Sequence, residues 1–139
     1  MERLTRARPL VAGVAEGETL VSREPLSFWG GYDQRTGEII DRRHPLAGSC
    51  AAGRILVLPY ARGSSTTTAV LLEAVRAGTA PAAILTTGVD TFFALASIVA
   101  EEMYGKSFPV ASMEPDDFEQ LSTGRWLRLE DDGTIYLVR

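Results

Sequence analysis

The sequence predicts an α/β protein in which a small, β-rich, barrel-like part packs with a three-stranded parallel βαβαβ core. Three observations carry that prediction. Residues Ile55 to Leu58 are apolar throughout, as in a strand buried on both faces of a parallel sheet covered by helices. From Gly53 onwards, short apolar runs alternate with longer amphipathic ones, the grammar of strand–helix–strand units. Before Ser22, short β segments are broken by Gly13 and Gly17, which suits a small barrel or curled sheet better than helix.

Residues 1–8 contain Arg3, Arg6 and Arg8 and no apolar run, so a flexible arm is expected. Leu10–Ala12, Val14–Ala15 and Thr19–Val21 supply the glycine-punctuated strands. Pro25–Asp33 is apolar and aromatic, with Phe28 and Trp29 as core candidates and a Gly30–Gly31 step. That step is either a plain turn or a place where backbone comes close to a ligand. Gln34–Glu38 is a polar connection. Asp41–Gly48 is a charged loop holding His44, the single histidine, with the setting of a solvated loop residue.

The strand at 54–58 leads through Pro59–Ser65 into a helix at 65–77 that ends at Gly78–Pro81. Ala82–Thr86 is the second strand. Asp90 caps a helix whose apolar stripe is expected to be Phe92, Ala96, Val99 and Met103, closed by Gly105. Phe108–Ala111 is the third strand. A short helix over 116–121 and a hairpin, 125–129 with 134–138, complete the chain across Asp131–Gly133.

At 139 residues and 45% hydrophobic composition, the chain is expected to form one domain with its own core. Such a length buries roughly 68–70% of the unfolded surface. A net charge of −4 without a large basic cluster argues against nucleic-acid binding. The lone Cys50 rules out an internal disulfide framework, suits a reducing compartment and is expected to be a buried small residue. No run approaches the roughly 20 apolar residues of a membrane span. A soluble, cytoplasmic domain is the expectation.

The turn between strand and helix holds one cation, one glycine and five hydroxyl residues: Arg62, Gly63, Ser64, Ser65, Thr66, Thr67 and Thr68. Two readings fit. Hydroxyls before a helix can simply cap it. Alternatively, the free N–H groups and positive dipole end form a site for an anion, at the strand edge where α/β sheets bind ligands.

Ordered blocks along the chain carry a resemblance. Pro25-Leu26-Ser27-Phe28-Trp29-Gly30-Gly31-Tyr32-Asp33, Thr36-Gly37, Ile40-Asp41, His44-Pro45-Leu46-Ala47-Gly48, Gly53–Pro59 with Arg62-Gly63-Ser64-Ser65, and Gly78–Ile84 resemble the small subunit of the aconitase X family. That family includes phosphomevalonate dehydratases and cis-3-hydroxy-L-proline dehydratases. The resemblance runs from about residue 12 to the carboxyl end and implies a swivelling β/β/α domain. It also implies a hydro-lyase that dehydrates a small hydroxy carboxylic acid, completed by a large subunit carrying an iron–sulfur cluster. Ser64 matches the family's catalytic base. Ser65, Arg62, Gly63, Gly30, Gly31 and Asp33 are the substrate-binding candidates, with cis-3-hydroxy-L-proline preferred over 5-phosphomevalonate because Arg62 is the one cation expected near the site. The chain departs from the pattern at Thr66-Thr67-Thr68-Ala69, where the family often has further serines and a glycine, and the substrate is correspondingly open. Independently of any family, one cysteine and one histidine cannot supply the three or four thiolates of an iron–sulfur cluster, so no cofactor is expected in this chain. A non-catalytic binding module on the same fold is the alternative.

Overall fold

The computed structural model describes residues 1–61 and 66–138. Eight strands form one sheet: β1 (Glu2–Arg6), β2 (Arg8–Val11), β3 (Ala15–Val21), β4 (Ile55–Val57), β5 (Ala83–Thr86), β6 (Val110–Ser112), β7 (Trp126–Leu129) and β8 (Thr134–Leu137). Three helices accompany them: α1 (Thr66–Ala77), α2 (Thr91–Tyr104) and α3 (Pro115–Gln120). The strand order is β1-β8-β7-β3-β4-β5-β6-β2.

The parallel core has four strands where three were expected. β3 joins it because it changes partner halfway along its length. Ala15–Glu18 run antiparallel to β7, whereas Thr19–Val21 run parallel to β4. β4–β5 and β5–β6 are also parallel. The expected amino-terminal arm is a strand as well. β1 pairs antiparallel with β8, and Thr5 Oγ1 donates to Asp117 at 2.6 Å. A short, basic and mostly exposed strand is a weak sequence signal, and the pairing partner lies at the other end of the chain.

The two outermost strands of the order, β1 and β2, are consecutive in sequence and separated only by Ala7. One residue therefore ties the two ends of the strand order together. Ala7 is buried, and its N–H donates to the Gly133 carbonyl at 2.8 Å. Gly133 is required there: φ is +92°, and a Cβ would stand 2.0 Å from the Ala7 oxygen.

Pleat alternation divides the core between the two sheet faces. Leu20, Leu56, Leu58, Ile84 and Val110 meet Val70, Leu71, Ala74 and Val75 of α1, and Phe93, Ala96 and Ala100 of α2. Leu26, Phe28, Tyr32, Ile39 and Leu46 from the long 22–53 segment complete this cluster. Ile55, Val57, Ala83, Leu85 and Ala111 face the other way, onto Phe118, Leu127, Leu129 and Ile135. Phe28 stacks on Tyr32 at 5.2 Å and meets Phe93 edge-on at 5.4 Å. The Tyr32 hydroxyl donates to the Thr79 carbonyl at 2.7 Å, and burial pushes this phenol above its ordinary pKa.

The stripe expected on α2 is corrected. Its buried residues are Phe93, Ala96, Ser97 and Ala100, while Met103 is exposed. A polar residue belongs to the inner face because the Ser97 hydroxyl donates to the Phe108 carbonyl inside the core. Trp29, a core candidate, is 70% exposed.

Candidate functional site

The parallel strands β3 to β6 end at Val21, Val57, Thr86 and Ser112, and the loops leaving them gather at one edge. The loop after β4 is held on three sides. Thr87 donates to the Pro59 carbonyl from its N–H (3.3 Å) and its hydroxyl (3.2 Å). Leu26 and Ala61 form a parallel bridge. The Ala61 N–H donates to Asp90 Oδ2 at 2.8 Å. Asp90 is 8% exposed, and its other oxygen caps α2 by accepting from the N–H groups of Phe92 (3.0 Å) and Phe93 (3.3 Å).

Arg62, Gly63, Ser64 and Ser65 lie outside the described residues. Their flanks are fixed, with Ala61 on one side and α1 starting at Thr66 on the other. The first turn of α1 contains no acidic residue, so no carboxylate in that turn offsets the positive end of its dipole. Its Thr68 hydroxyl lies 3.5 Å from the Phe92 carbonyl, which ties α1 to the first turn of α2. The two helices thus start side by side at this strand edge.

Gly30 and Gly31 follow Leu26 of that bridge by four and five residues. Gly30 has φ +76° and faces open space. Gly31 lacks a side chain for a structural reason, because a Cβ would stand 2.1 Å from the Ser27 carbonyl oxygen. Asp33 lies two residues further on. The connection it starts is fastened to the far end of α1, where the Thr79 hydroxyl donates to the Gln34 carbonyl at 2.6 Å. Its carboxylate accepts from the Arg35 N–H at 2.9 Å, and this bond holds it below the usual carboxylate range. Asp33 builds a turn.

His44 was expected in solvent but is 8% exposed. Its Nδ1 accepts from the Leu46 N–H at 3.1 Å, which fits the tautomer with hydrogen on Nε2. Nε2 faces the Glu24 carbonyl (3.4 Å) and the Ser22 hydroxyl (3.5 Å), directly after β3. The two residues before this histidine, the exposed Arg42 and Arg43, line a cleft of about 520 Å³ together with Glu24, Ser27, Asp41 and His44. Sequence spacing could not place these cations at the mouth, since tertiary folding onto Ser22 brings them there. Cys50, expected to be buried, is exposed, and its thiol donates to the Thr36 carbonyl at 3.4 Å.

Among the described residues no group of three or more His, Cys, Asp or Glu is placed to hold a metal ion. The donors present do not fit an iron–sulfur cluster, because His44 is buried at the mouth while Cys50 packs by the turn at the opposite end. No helix is long and apolar enough to cross a membrane among the described residues.

A curled sheet with two helices opening onto one edge is the architecture of a swivel domain. Residues 4–137 match the family of the aconitase X swivel domain, and the chain belongs to it. The cis-3-hydroxy-L-proline dehydratase of Pseudomonas aeruginosa is 50% identical over 132 residues, covering 95% of this chain and 22% of that protein. The phosphomevalonate dehydratase small subunit of Methanosarcina mazei is 36% identical over 136 residues, covering 96% of this chain and 90% of that subunit. The crystal structure of Thermococcus kodakaraensis aconitase X in its holo form matches with a TM-score of 0.85 at 32% identity, over 96% of this chain and 97% of that one. The chain spans about a fifth of the length of the Pseudomonas protein and of the Hypocrea jecorina dehydratase of the same name.

Proposed function

We propose that this chain is the swivelling component of an aconitase X-type hydro-lyase, and that Ser64 is its base. The reaction removes water from a small hydroxy carboxylic acid. The proton α to the carboxylate passes to Ser64 Oγ, the C–O bond of the β-hydroxyl breaks, and a C=C bond forms between the two carbons. A serine oxygen accepts that proton only as an alkoxide. The amino end of α1, the backbone around Gly63 and the Arg62 guanidinium are the groups that would stabilise the anion. Ser65 and Gly30 would contact substrate, with Gly31 shaping the turn beside it. Departure of the hydroxyl requires an acid that this chain does not supply, so the proposal includes a larger partner, with the iron–sulfur cluster expected there. Trp29, Tyr60 and Val89 support such a partner, being 70%, 54% and 60% exposed on the three neighbouring loops of the same edge.

The observation that carries this reading is 50% identity to a cis-3-hydroxy-L-proline dehydratase over 95% of the chain. It makes that hydroxy acid the preferred substrate. The exposed Arg42 and Arg43 at the mouth favour a second one, 5-phosphomevalonate, whose phosphate needs cations. Assaying both compounds with the chain reconstituted with its partner decides between them. In the same assay, Ser64→Ala should lower turnover by about 10²–10⁴-fold with assembly unchanged, the range for loss of a general base. Unchanged turnover would remove Ser64 from the chemistry and leave a non-catalytic binding domain.

A further inference from the structure

Asp90 does more than cap a helix. A capping side chain needs one oxygen for the free N–H groups of its own first turn. Here Oδ1 performs that task for Phe92 and Phe93, while Oδ2 reaches a different loop and accepts the Ala61 N–H at 2.8 Å. Ala61 is the last described residue before 62–65. Beyond that segment, the Thr68 hydroxyl bonds the Phe92 carbonyl, two residues from Asp90. Ala61 and Thr68 are therefore both fastened to the first turn of α2. That platform is itself anchored, since the Thr86 hydroxyl donates to the Gly88 carbonyl at 2.6 Å and Asp90 is almost wholly buried.

We infer that Asp90 is a positioning residue for the reaction, acting by way of the Ala61 amide on the segment that carries Ser64. This rests on the proposed role of Ser64. A base must sit within a few tenths of an ångström of its productive place, and a misplacement of about 1 Å can cost 10²-fold in rate. An ordinary cap would affect α2 stability alone.

Asp90→Asn separates the two roles. The amide oxygen still caps α2, since Asn caps as well as Asp, but the NH₂ group cannot accept the Ala61 N–H. Asp90→Ser is the companion variant, short enough to cap and too short to reach Ala61. Both are compared with the parent chain and with Ser64→Ala, in the reconstituted enzyme for activity and in the full chain for amide hydrogen exchange. The expected result is a fall in kcat of about tenfold to a hundredfold with KM near the parent value, and faster exchange at residues 60–61. Exchange through α2 should be unchanged. Parental kcat in both variants, beside an inactive Ser64→Ala, overturns the inference and leaves the proposed function standing. Unaltered exchange at 60–61 overturns it whatever the activity. An active Ser64→Ala overturns both.

Discussion

Tyr32 is a buried phenol held between Phe28 and the Thr79 carbonyl. Burial raises its pKa above the ordinary value of about 10. In the unfolded chain it loses its proton near pH 10, while in the folded chain it retains it. The folded state therefore binds more protons above pH 10, and stability falls as pH rises from there. The limiting slope is about 1.4 kcal/mol per pH unit. Tyr32→Phe should flatten this alkaline limb in denaturant titrations at pH 9 to 11, and a slope equal to that of the parent chain would contradict the assignment. His44 and Cys50 make the complementary point about single residues. Exposure follows tertiary neighbours, so a histidine in a charged loop ends up under Ser22, and a cysteine beside two alanines ends up in solvent.

Helix α2 shows what was legible in an element and what was not. Asp90 and Gly105 fixed its two ends from sequence, because capping is local chemistry, and both caps are present. The buried face was misplaced because an apolar stripe ignores serine. Ser97 is the inner residue only by virtue of the Phe108 carbonyl, which comes from another element. Ser97→Ala should cost about 1–3 kcal/mol by leaving that carbonyl unpaired, whereas Met103→Lys on the exposed side should stay within about 0.5 kcal/mol. Equal losses in thermal denaturation would reverse the assignment. Strands β4 and β5 were legible for the opposite reason: wholly apolar runs have one stable environment, the interior of a covered sheet. β1 was not, since its partner β8 lies more than a hundred residues away. At the candidate site, the sequence names Arg62 to Ser65, which lie outside the described residues, while the contacts of Asp90 with Ala61 and of His44 with Ser22 come from long-range folding.

At the scale of the molecule, Tyr60 and Val89 on the loops leaving β4 and β5, and Trp29 in the segment after β3, are large exposed side chains. In the proposed reading they belong to the surface that docks on the partner. Trp29→Asp should weaken association with the proposed partner by about 2 kcal/mol or more, some thirtyfold in Kd. Its exposure predicts little change in the fold, so titration calorimetry beside thermal denaturation separates the two effects. Parental affinity would place the interface elsewhere.

The seam at Ala7 has a mechanical consequence. The two outermost strands are tied by one buried residue, so neither leaves the sheet without pulling on the other. Scission between Arg6 and Arg8 would untie them, and such a nicked chain should unfold at a lower temperature than the intact one.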